Sequence, residues 1–341
     1  MKNTMKLKLI SIIISAALLI IPCGCAQNEK PESVSFQAMD TFMKLDVYGD
    51  NSAAEKIKNQ ITKLDSLLSP TDEKSDIFML NRDKKATADE LTAELTKKSL
   101  EICEQTVGAL DVTIYPIVRE WGFISGKYKI PDKSVLSGLL KKVSYKNATV
   151  SGNEITLKNG AELDLGATAK GFAADKAVEI LKSSGSESAI LNLGGTIAAY
   201  GKKPDGSLWR VGIADPENTA EYIGYVQCSD KIVATSGSYE RYFKGSDGKI
   251  YSHIIDPRDG YPVDNGIKSV TIVSENGLKS DCLSTALFVM GKDKAVDYLR
   301  KNKNFEYVIL TDNEAFVSEG LKDSFTLSSA GYAVRVIEKD D

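Results

Sequence analysis

Hydrophobic residues recur along the chain with two different periods, which predicts a mixed α/β fold. Apolar residues at helical spacing, such as Ile57, Ile61 and Leu64, predict amphipathic helices, and short alternating or continuous apolar runs predict strands. Helices are expected over residues 53–68, 75–81, 89–108, 132–142, 168–185, 278–291 and 293–302. Strands are expected over residues 35–48, 189–195, 208–216, 224–230, 231–237, 268–274, 305–312 and 326–337, with hairpins over 147–164 and 241–257.

The first 24 residues have the pattern of an export signal rather than of a folded element. Three lysines precede an apolar run from Leu9 to Ile21, which is too short to span a bilayer as a helix but suits a signal-peptide core. Because a small residue precedes Cys25, we expect cleavage before this cysteine and lipidation (palmitate) of its thiol, with Cys23 as the alternative. Residues 25–34 are then a lipid-anchored tether at the extracytoplasmic face of the cell membrane, and residues 35–341 form a single domain.

Charge and cysteine content exclude several classes of protein. The formal net charge is −4, and removal of residues 1–24, which hold three lysines and no acid, makes it −7. An acidic chain is unsuited to nucleic acid, whose phosphates require a basic surface. The cysteines that remain beyond the signal, Cys103, Cys228 and Cys282, lack any CxxC spacing. We therefore expect buried thiols rather than a disulfide framework or a zinc site.

The segment 233–263 contains His253, the single histidine of the chain. A base that works near neutral pH would have this residue as its obvious candidate. We expect His253 to lie on the return strand of a hairpin that turns at Asp247-Gly248, before the turn-rich stretch 256–262. Its apolar neighbours also allow the simpler interpretation of a strand residue without a chemical role.

Two other patterns provide candidate phosphate and metal ligands. A strand ending at Asp164 is followed by Gly166 and by a helix from about Thr168, and such a helix N-terminus favours phosphate. Lys170 in its first turn adds a positive charge. In the helix 278–291, Asp281 and Thr285 are four residues apart, so two hard oxygens share one face, as Mg2+ prefers. Spacing alone favours a polar stripe, or a bond from Thr285 back to the Asp281 carbonyl.

Taken together, nine stretches resemble the family of FAD:protein FMN transferases, also called ApbE-type flavin transferases. They are AMDT (38–41), SDIFMLN (75–81), GALDVTIYP (108–116) with WGF (121–123), DLGATAKGFAAD (164–175), LNLGG (191–195), WRVGIADP (209–216), ATSGSYERYF (234–243), HIIDPRDGYPV (253–263) and DCLSTALFVMG (281–291). The similarity covers residues 35–325 in family order. It implies two mixed α/β lobes of the ApbE-type (T-fold-like) architecture with the flavin bound between them.

The resemblance implies an enzyme that uses Mg2+ to split the pyrophosphate of FAD. Such an enzyme attaches FMN to a threonine of an acceptor protein and releases AMP. Acceptors of this family are FMN-carrying subunits of membrane redox complexes, which agrees with a lipid anchor. An FAD pyrophosphatase that yields FMN and AMP is the close alternative, and a non-catalytic flavin-binding or solute-binding lipoprotein is the alternative from another class.

The matching positions also imply roles for individual residues. His253 would stand beside the phosphate under attack as general base, with Asp256 and Asp259 as alternatives. The remaining residues would bind the ligands: Met39, the backbone around Ala109, Leu110 and Asp111, Asp164, Lys170, Thr235, Ser236, Gly237 and Ile254 for FAD, and Asp281, Thr285 and the Ala167 carbonyl for Mg2+.

Two positions depart from the family pattern. Asp40 replaces a glycine, which places an acidic side chain near the expected flavin. Thr71 stands where the family has an aromatic residue over the flavin, so a stacking contact worth on the order of 1 kcal/mol would be absent. We expect weaker or differently shaped FAD binding from these two changes, without loss of catalysis.

Overall fold

The computed structural model describes residues 30–338, which form a mixed α/β fold with several sheets. This confirms the mixture of helices and strands expected from the two hydrophobic periods and the α+β class that the resemblance implies. The expected signal peptide 1–24 and the lipidation site Cys25 lie outside the described residues, as do residues 339–341. Within residues 30–338, no helix is long and apolar enough to cross a membrane.

The elements follow one another in mixed order along the chain. The helices are α1 (Ala53–Leu68), α2 (Asp76–Asp83), α3 (Glu90–Gln105), α4 (Tyr115–Glu120), α5 (Lys133–Leu140), α6 (Ala169–Ser184), α7 (Gly277–Met290) and α8 (Lys292–Lys301). The strands are β1 (Glu32–Ala38), β2 (Thr41–Tyr48), β3 (Lys85–Thr87), β4 (Ala148–Ser151), β5 (Glu154–Leu157), β6 (Ser188–Asn192), β7 (Thr196–Tyr200), β8 (Trp209–Ala214), β9 (Tyr222–Cys228), β10 (Lys231–Gly237), β11 (Tyr242–Lys244), β12 (Ile250–Ser252), β13 (Ser269–Ser274), β14 (Glu306–Leu310), β15 (Glu314–Ser318), β16 (Phe325–Leu327) and β17 (Ala333–Ile337).

Within residues 30–338, a nine-stranded sheet in the order β1-β2-β6-β7-β10-β13-β14-β15-β17 forms the centre of the fold. All neighbouring strands are antiparallel except β15 and β17. On one face of this sheet, α6 and α7 pack together with α1 and α3 over a core that includes Leu45, Phe172 and Phe288. Almost every residue of α7 is buried, because this helix lies between the sheet and α6.

A second sheet, in the order β16-β9-β8, covers the opposite face of the central sheet. Trp209, Val211 and Val226 from this small sheet pack with Val233 and Val308 of the large one. The central sheet is therefore buried on both faces. This explains why β13 is buried at every position and β14 at every position after its first.

A third cluster of apolar residues surrounds Trp121, next to the β11–β12 hairpin. The indole is fully buried, and its Nε1 donates to the carbonyl oxygen of Gly260 at 2.7 Å. The rings of Phe243, Tyr251 and Tyr261 lie within 6.2 Å of it, centroid to centroid. This cluster packs the residues before and after His253 against the WGF stretch (121–123). The aromatic residues of WGF are core residues, as the sequence indicates.

The single strand expected over residues 35–48 is wrong. The chain forms two antiparallel strands, β1 and β2, joined by a turn at Met39 and Asp40 with φ of 51° and 57°. Neither residue is glycine or proline, so the usual turn signal is missing from the sequence. β1 also begins at Glu32, which places residues 32–34 of the expected tether within the sheet.

Three further details of the sequence reading are corrected by the structure. The strand expected to end at Asp164 is reduced to one isolated bridge between Glu162 and Ile114. His253 comes directly after β12 rather than on it. The short strands β3, β7 and β15 were not predicted, because three to five residues carry too little pattern.

The remaining cysteines agree with the prediction. Cys103, Cys228 and Cys282 are free and buried. Burial raises the pKa of Cys103 to about 12 and that of Cys228 to about 11, and it raises the pKa of Cys282 well above its ordinary value. These thiols are therefore protonated and unreactive at neutral pH.

Candidate functional site

The candidate site is built where α6 and α7 meet at two glycines. A Cβ on Gly171 would stand 2.2 Å from the carbonyl oxygen of Gly277, and one on Gly277 would stand 2.3 Å from that of Gly171. Only glycine allows the two backbones to approach so closely. The Gly171 N–H then donates to Asp281 Oδ2 at 2.8 Å. This contact brings the first turn of α6, with Lys170, beside Asp281 of α7.

Asp175, one turn further along α6, fixes the start of α7. Its carboxylate accepts hydrogen bonds from the N–H groups of Gly277 at 2.6 Å and Leu278 at 2.9 Å. These are two of the N–H groups that a helix N-terminus leaves unpaired, and a carboxylate there is further stabilised by the helix dipole. Asp175 thus positions α7 without being near the expected chemistry. The sequence analysis did not assign it this role.

We expect Gly171→Ala to lower the free energy of unfolding by about 1–3 kcal/mol, the usual cost of overpacking. The added methyl would clash with the Gly277 backbone and stand 2.6 Å from the Asp281 Cβ, so α6 and α7 must separate. Urea unfolding and the rate of FAD cleavage both report the change. Gly138→Ala on the exposed side of α5 is the matched control, because its Cβ meets nothing within 4 Å. Equal stability of the two variants would contradict this account of the crossing.

Asp281 is a buried carboxylate whose charge is opposed by Lys170. Burial raises its pKa, whereas the positive charge of Lys170 and the Gly171 hydrogen bond lower it. Thr285, one turn along α7, lies 3.0 Å from the Ser236 hydroxyl, oxygen to oxygen. The bond back to the Asp281 carbonyl comes from Ser284 instead, at 2.8 Å. Of the two alternatives expected from spacing alone, the bond from the Thr285 hydroxyl to the Asp281 carbonyl is therefore wrong, and Thr285 faces β10.

Asp281 has oxygen atoms near it of the kind that a hard cation binds. The Thr196 hydroxyl is close enough to lower the pKa of Asp281, yet it is buried without a hydrogen bond of normal geometry. Ala167 is half-buried in the turn that leads into α6. No group of three or more His, Cys, Asp or Glu that could hold a metal is found within residues 30–338. The predicted ligands need only one carboxylate, because Mg2+ binds through one or two carboxylates and keeps several waters or phosphates.

His253 is held by one backbone carbonyl. Its backbone N–H donates to the carbonyl oxygen of Arg241 at 2.9 Å, and its ring Nδ1 lies 3.1 Å from the same oxygen. Because a carbonyl only accepts, Nδ1 carries the proton in the neutral ring and Nε2 is left as the acceptor. Desolvation, together with the charges of Arg241 and Lys170, lowers the His253 pKa to about 4. The imidazole is therefore neutral at pH 7.

The structure adds Glu240 and Arg241, which the sequence analysis missed, to this site. Burial raises the Glu240 pKa to about 7, against the positive charge of Lys170. The charge of Arg241 acts on Asp164, whose pKa is raised by burial. Six residues that influence one another electrostatically form what we call the charged cluster: Asp164, Lys170, Glu240, Arg241, His253 and Asp281. The adjacent acid and base within YERYF, beside the only histidine, were the available sequence signal.

We expect Glu240→Gln to raise the free energy of unfolding at pH 8 but not at pH 4. The pKa of Glu240 is higher in the folded protein than the ordinary value of 4.5, so the stability it contributes is complete below pH 4.5 and is lost as pH rises through about 7. Solvent exposure of part of the side chain limits the gain to about 1 kcal/mol. Urea unfolding at both pH values measures it, with exposed Glu101→Gln as control. A gain at pH 4 of the same size would contradict the assignment.

The expected flavin contacts on the first hairpin lie beside a cavity of about 410 Å³. Met39, Asp40 and Thr41 line it together with Asp65. The Met39 N–H donates to Asp65 Oδ1 at 2.9 Å, which fixes the left-handed turn. Thr71 is exposed and bonded to Ser69 rather than placed over a ring-sized surface.

The side chains of the other predicted contact residues are mainly buried or bonded within their own turns. The Asp111 carboxylate accepts hydrogen bonds from the Thr113 N–H and hydroxyl and from the Tyr145 N–H, so its side chain holds a turn, and only the backbone remains for a ligand. Asp256 is paired with Arg258 within its own turn. The remaining positions are as follows: Ala109, Leu110 and Ile254 are buried, Thr235, Ser236 and Gly237 end β10, and Asp259 caps the Tyr261 N–H.

The charged cluster has the kinds of group that an enzyme acting on phosphate groups uses. Lys170 on α6 acts electrostatically on Asp281 of α7, on Glu240 and on His253, and Arg241 acts on His253 and Asp164. Fixed charges of this kind stabilise the oxygen charge that develops in phosphoryl transfer. The carboxylate of Asp164 lies within the field of the Arg241 charge.

The chain belongs to the ApbE family, which it matches over residues 39–309. It is 30% identical over 337 residues to the FAD:protein FMN transferase of Haemophilus influenzae, covering 92% of this chain and 96% of that protein. The crystal structure of the ApbE protein from Thermotoga maritima is 33% identical, with a TM-score of 0.76, over 87% of this chain and 96% of that one. The flavin transferase ApbE from Vibrio cholerae is 25% identical, with a TM-score of 0.74, over 88% and 97%.

Proposed function

We propose that this protein is an FAD:protein FMN transferase, which moves FMN from FAD to a threonine of an acceptor protein and releases AMP. The single observation that carries the proposal is the convergence of Lys170, His253 and Asp281 from three separate elements into the charged cluster. The relative from Haemophilus influenzae bears the name of this activity. A neutral imidazole beside fixed cations suits the attack of a hydroxyl on a phosphate.

The reaction forms a bond between the threonine oxygen and the phosphorus of FMN, and it breaks the bond from that phosphorus to the bridging oxygen. AMP leaves with that oxygen. The proton of the threonine hydroxyl passes to His253 Nε2, which is free because Nδ1 faces the Arg241 carbonyl. Lys170 neutralises charge on the phosphate oxygens. Asp256 is a weaker candidate for the base, since Arg258 occupies both of its carboxylate oxygens.

Magnesium dependence is part of the proposal. Asp281, Thr285 and the Ala167 carbonyl would hold the ion, with Thr196 as an additional nearby hydroxyl. A bound Mg2+ would neutralise charge on the pyrophosphate and improve AMP as a leaving group. Burial raises the pKa of the Asp281 carboxylate, and the positive charge of such a cation would lower this pKa and so favour the ionised form.

The test combines the purified protein with FAD, Mg2+ and a candidate acceptor domain. Transfer gives AMP in solution and flavin fluorescence that remains on the acceptor in a denaturing gel. AMP without labelled acceptor, with several acceptors tried, would favour the FAD pyrophosphatase. FAD binding without any AMP would favour a flavin-binding lipoprotein.

We also propose that the enzyme is anchored at the extracytoplasmic face of the cell membrane through lipid on Cys25, and that its acceptor is a subunit of a membrane redox complex. The export pattern of residues 1–24 supports this location. β1 begins at Glu32, seven residues after Cys25, so the chain would reach at most about 25 Å from the lipid. A membrane surface at that distance suits an acceptor that is itself membrane-bound.

The anchor is testable in cells. Cys25→Ala is expected to abolish labelling by a palmitate analogue and to release the protein from the membrane fraction. Cys23→Ala is the matched control and should leave both unchanged. Loss of labelling in Cys23→Ala alone would move the lipid to Cys23.

A further inference from the structure

Arg241 connects three parts of the site. Its backbone carbonyl holds the His253 ring, with Nδ1 at 3.1 Å. Its guanidinium Nη2 donates to the carbonyl oxygen of Phe123 at 3.1 Å. Its Nη1 points toward Asp40 Oδ2, 3.9 Å away, across the turn between β1 and β2. The Arg241 side chain thus points toward Asp40, which lines the cavity beside Met39, while the Arg241 backbone holds the imidazole.

The pair of Arg241 and Asp40 is loose. The distance of 3.9 Å is at the limit for an ion pair, and the two side chains are 50% and 89% exposed. Such surface pairs contribute little to stability. A guanidinium has five N–H donors, and a single bond to Phe123 leaves most of them available. Arg241 is therefore partly held in place and partly free to take an anionic ligand.

We propose that Arg241 binds the flavin-side phosphate of the substrate and that Asp40 competes with this phosphate for the guanidinium. The proposal rests on the proposed function and deepens it. The planar fork of arginine matches two phosphate oxygens at once, as lysine cannot. Because the Arg241 carbonyl holds His253, a phosphate bound by its side chain lies beside the imidazole.

The position of Asp40 makes the competition specific. Its backbone φ of 57° is in the left-handed region, where Asp and Asn are among the few tolerated residues, and Asp40 lines the cavity while its Oδ2 lies 3.9 Å from Arg241 Nη1. Lys170 is the other cation of the charged cluster, and it lies on the side of Glu240 and Asp281. The two cations therefore serve different acids and, we infer, different oxygens of the substrate.

Calorimetric titration with FMN, riboflavin and AMP in the presence of Mg2+ tests the proposal, because none of the three has a pyrophosphate to cleave. Arg241→Gln keeps a donor for the Phe123 carbonyl and removes the charge. We expect it to weaken FMN binding about ten- to a hundredfold and to change riboflavin and AMP binding less than twofold. Asp40→Asn keeps the shape and the turn, and it should tighten FMN binding about two- to fivefold.

The double variant separates competition from a direct effect. If Asp40 acts through Arg241, Asp40→Asn will not tighten FMN binding when Arg241 is already glutamine. Arg82→Gln, which removes an exposed arginine paired with Asp83, is the control and should change nothing.

Three results would overturn the proposal. Equal weakening of FMN and riboflavin in Arg241→Gln would mean that the residue only holds the segment at Phe123. Weakening of AMP alone would place Arg241 on the other phosphate. Unchanged FMN binding would remove it from the phosphate site. A wild-type protein that binds FMN normally but never releases AMP from FAD would contradict the transferase proposal and leave the Arg241 assignment standing.

Discussion

Asp281→Asn is expected to reduce AMP release and acceptor labelling by about 10³-fold while the protein remains folded. Asparagine keeps an oxygen for the Gly171 N–H, which donates to Asp281 Oδ2 in the native protein. It loses the negative charge that a bound cation requires. Because burial raises the pKa of Asp281, removing its charge should leave the free energy of unfolding at pH 8 unchanged or higher.

A melting experiment separates loss of the cation from loss of the fold. Mg2+ should raise the melting temperature of the native protein and not that of Asp281→Asn, since a ligand stabilises only the state that binds it. Glu275→Gln, an exposed acid paired with Lys231 just before α7, is the matched control and should keep the Mg2+ response. An Asp281→Asn variant with native turnover would show that the metal site lies elsewhere.

His253→Ala is expected to reduce the rate of FMN transfer by about 10²–10⁴-fold, the usual contribution of a general base. FMN binding should change little, because the side chain acts on the threonine proton rather than on the flavin. Since the pKa of His253 is lowered to about 4, its Nε2 is available as acceptor down to about pH 5. Transfer by the native enzyme should therefore show no loss from this residue between pH 8 and pH 5, and should fall as pH approaches 4.

The groups that face His253 set this pH range. Burial disfavours a positive charge on the ring, the charges of Arg241 and Lys170 oppose it further, and Phe123 packs its ring edge-on at 6.4 Å. Asp256→Asn is the matched control, because Asp256 is the alternative base closest in sequence, and its transfer rate should stay within about threefold of native. A decline of native transfer centred near the ordinary histidine pKa of 6.5, or normal transfer by His253→Ala, would exclude this base.

Local sequence patterns predicted each of the described helices except α4. The helix expected over residues 53–68 is α1 with the same bounds, and the buried face is the one that Ile57, Ile61 and Leu64 define. Amphipathic spacing works here because one side of α1 packs on the core and the other faces solvent. The β1–β2 turn was not predicted, because it depends on a contact that is distant in sequence. Met39 and Asp40 are held left-handed by a contact with Asp65, 26 residues away for Met39, which no local pattern contains.

The candidate site also contains residues that local patterns select and residues that only distant contacts place. Lys170 and the Asp281/Thr285 spacing could be chosen from the sequence, because a lysine in a first helical turn and two oxygens on one helix face are local facts. Glu240 and Arg241 offered only the weak signal of an adjacent acid and base, since their importance comes from the charges that face them.

The sequence by itself determined the types of chemical group, their spacing within each helix, and a resemblance in nine stretches. Only the tertiary structure decided that these groups meet. The contact between Gly171 and Asp281 joins residues 110 positions apart, and it exists because two glycines let α6 and α7 touch backbone to backbone. His253 reaches the same place through the Arg241 carbonyl and the aromatic cluster around Trp121. A site made of such contacts depends on packing between distant segments, and packing is the part of the physics that a one-dimensional pattern leaves open.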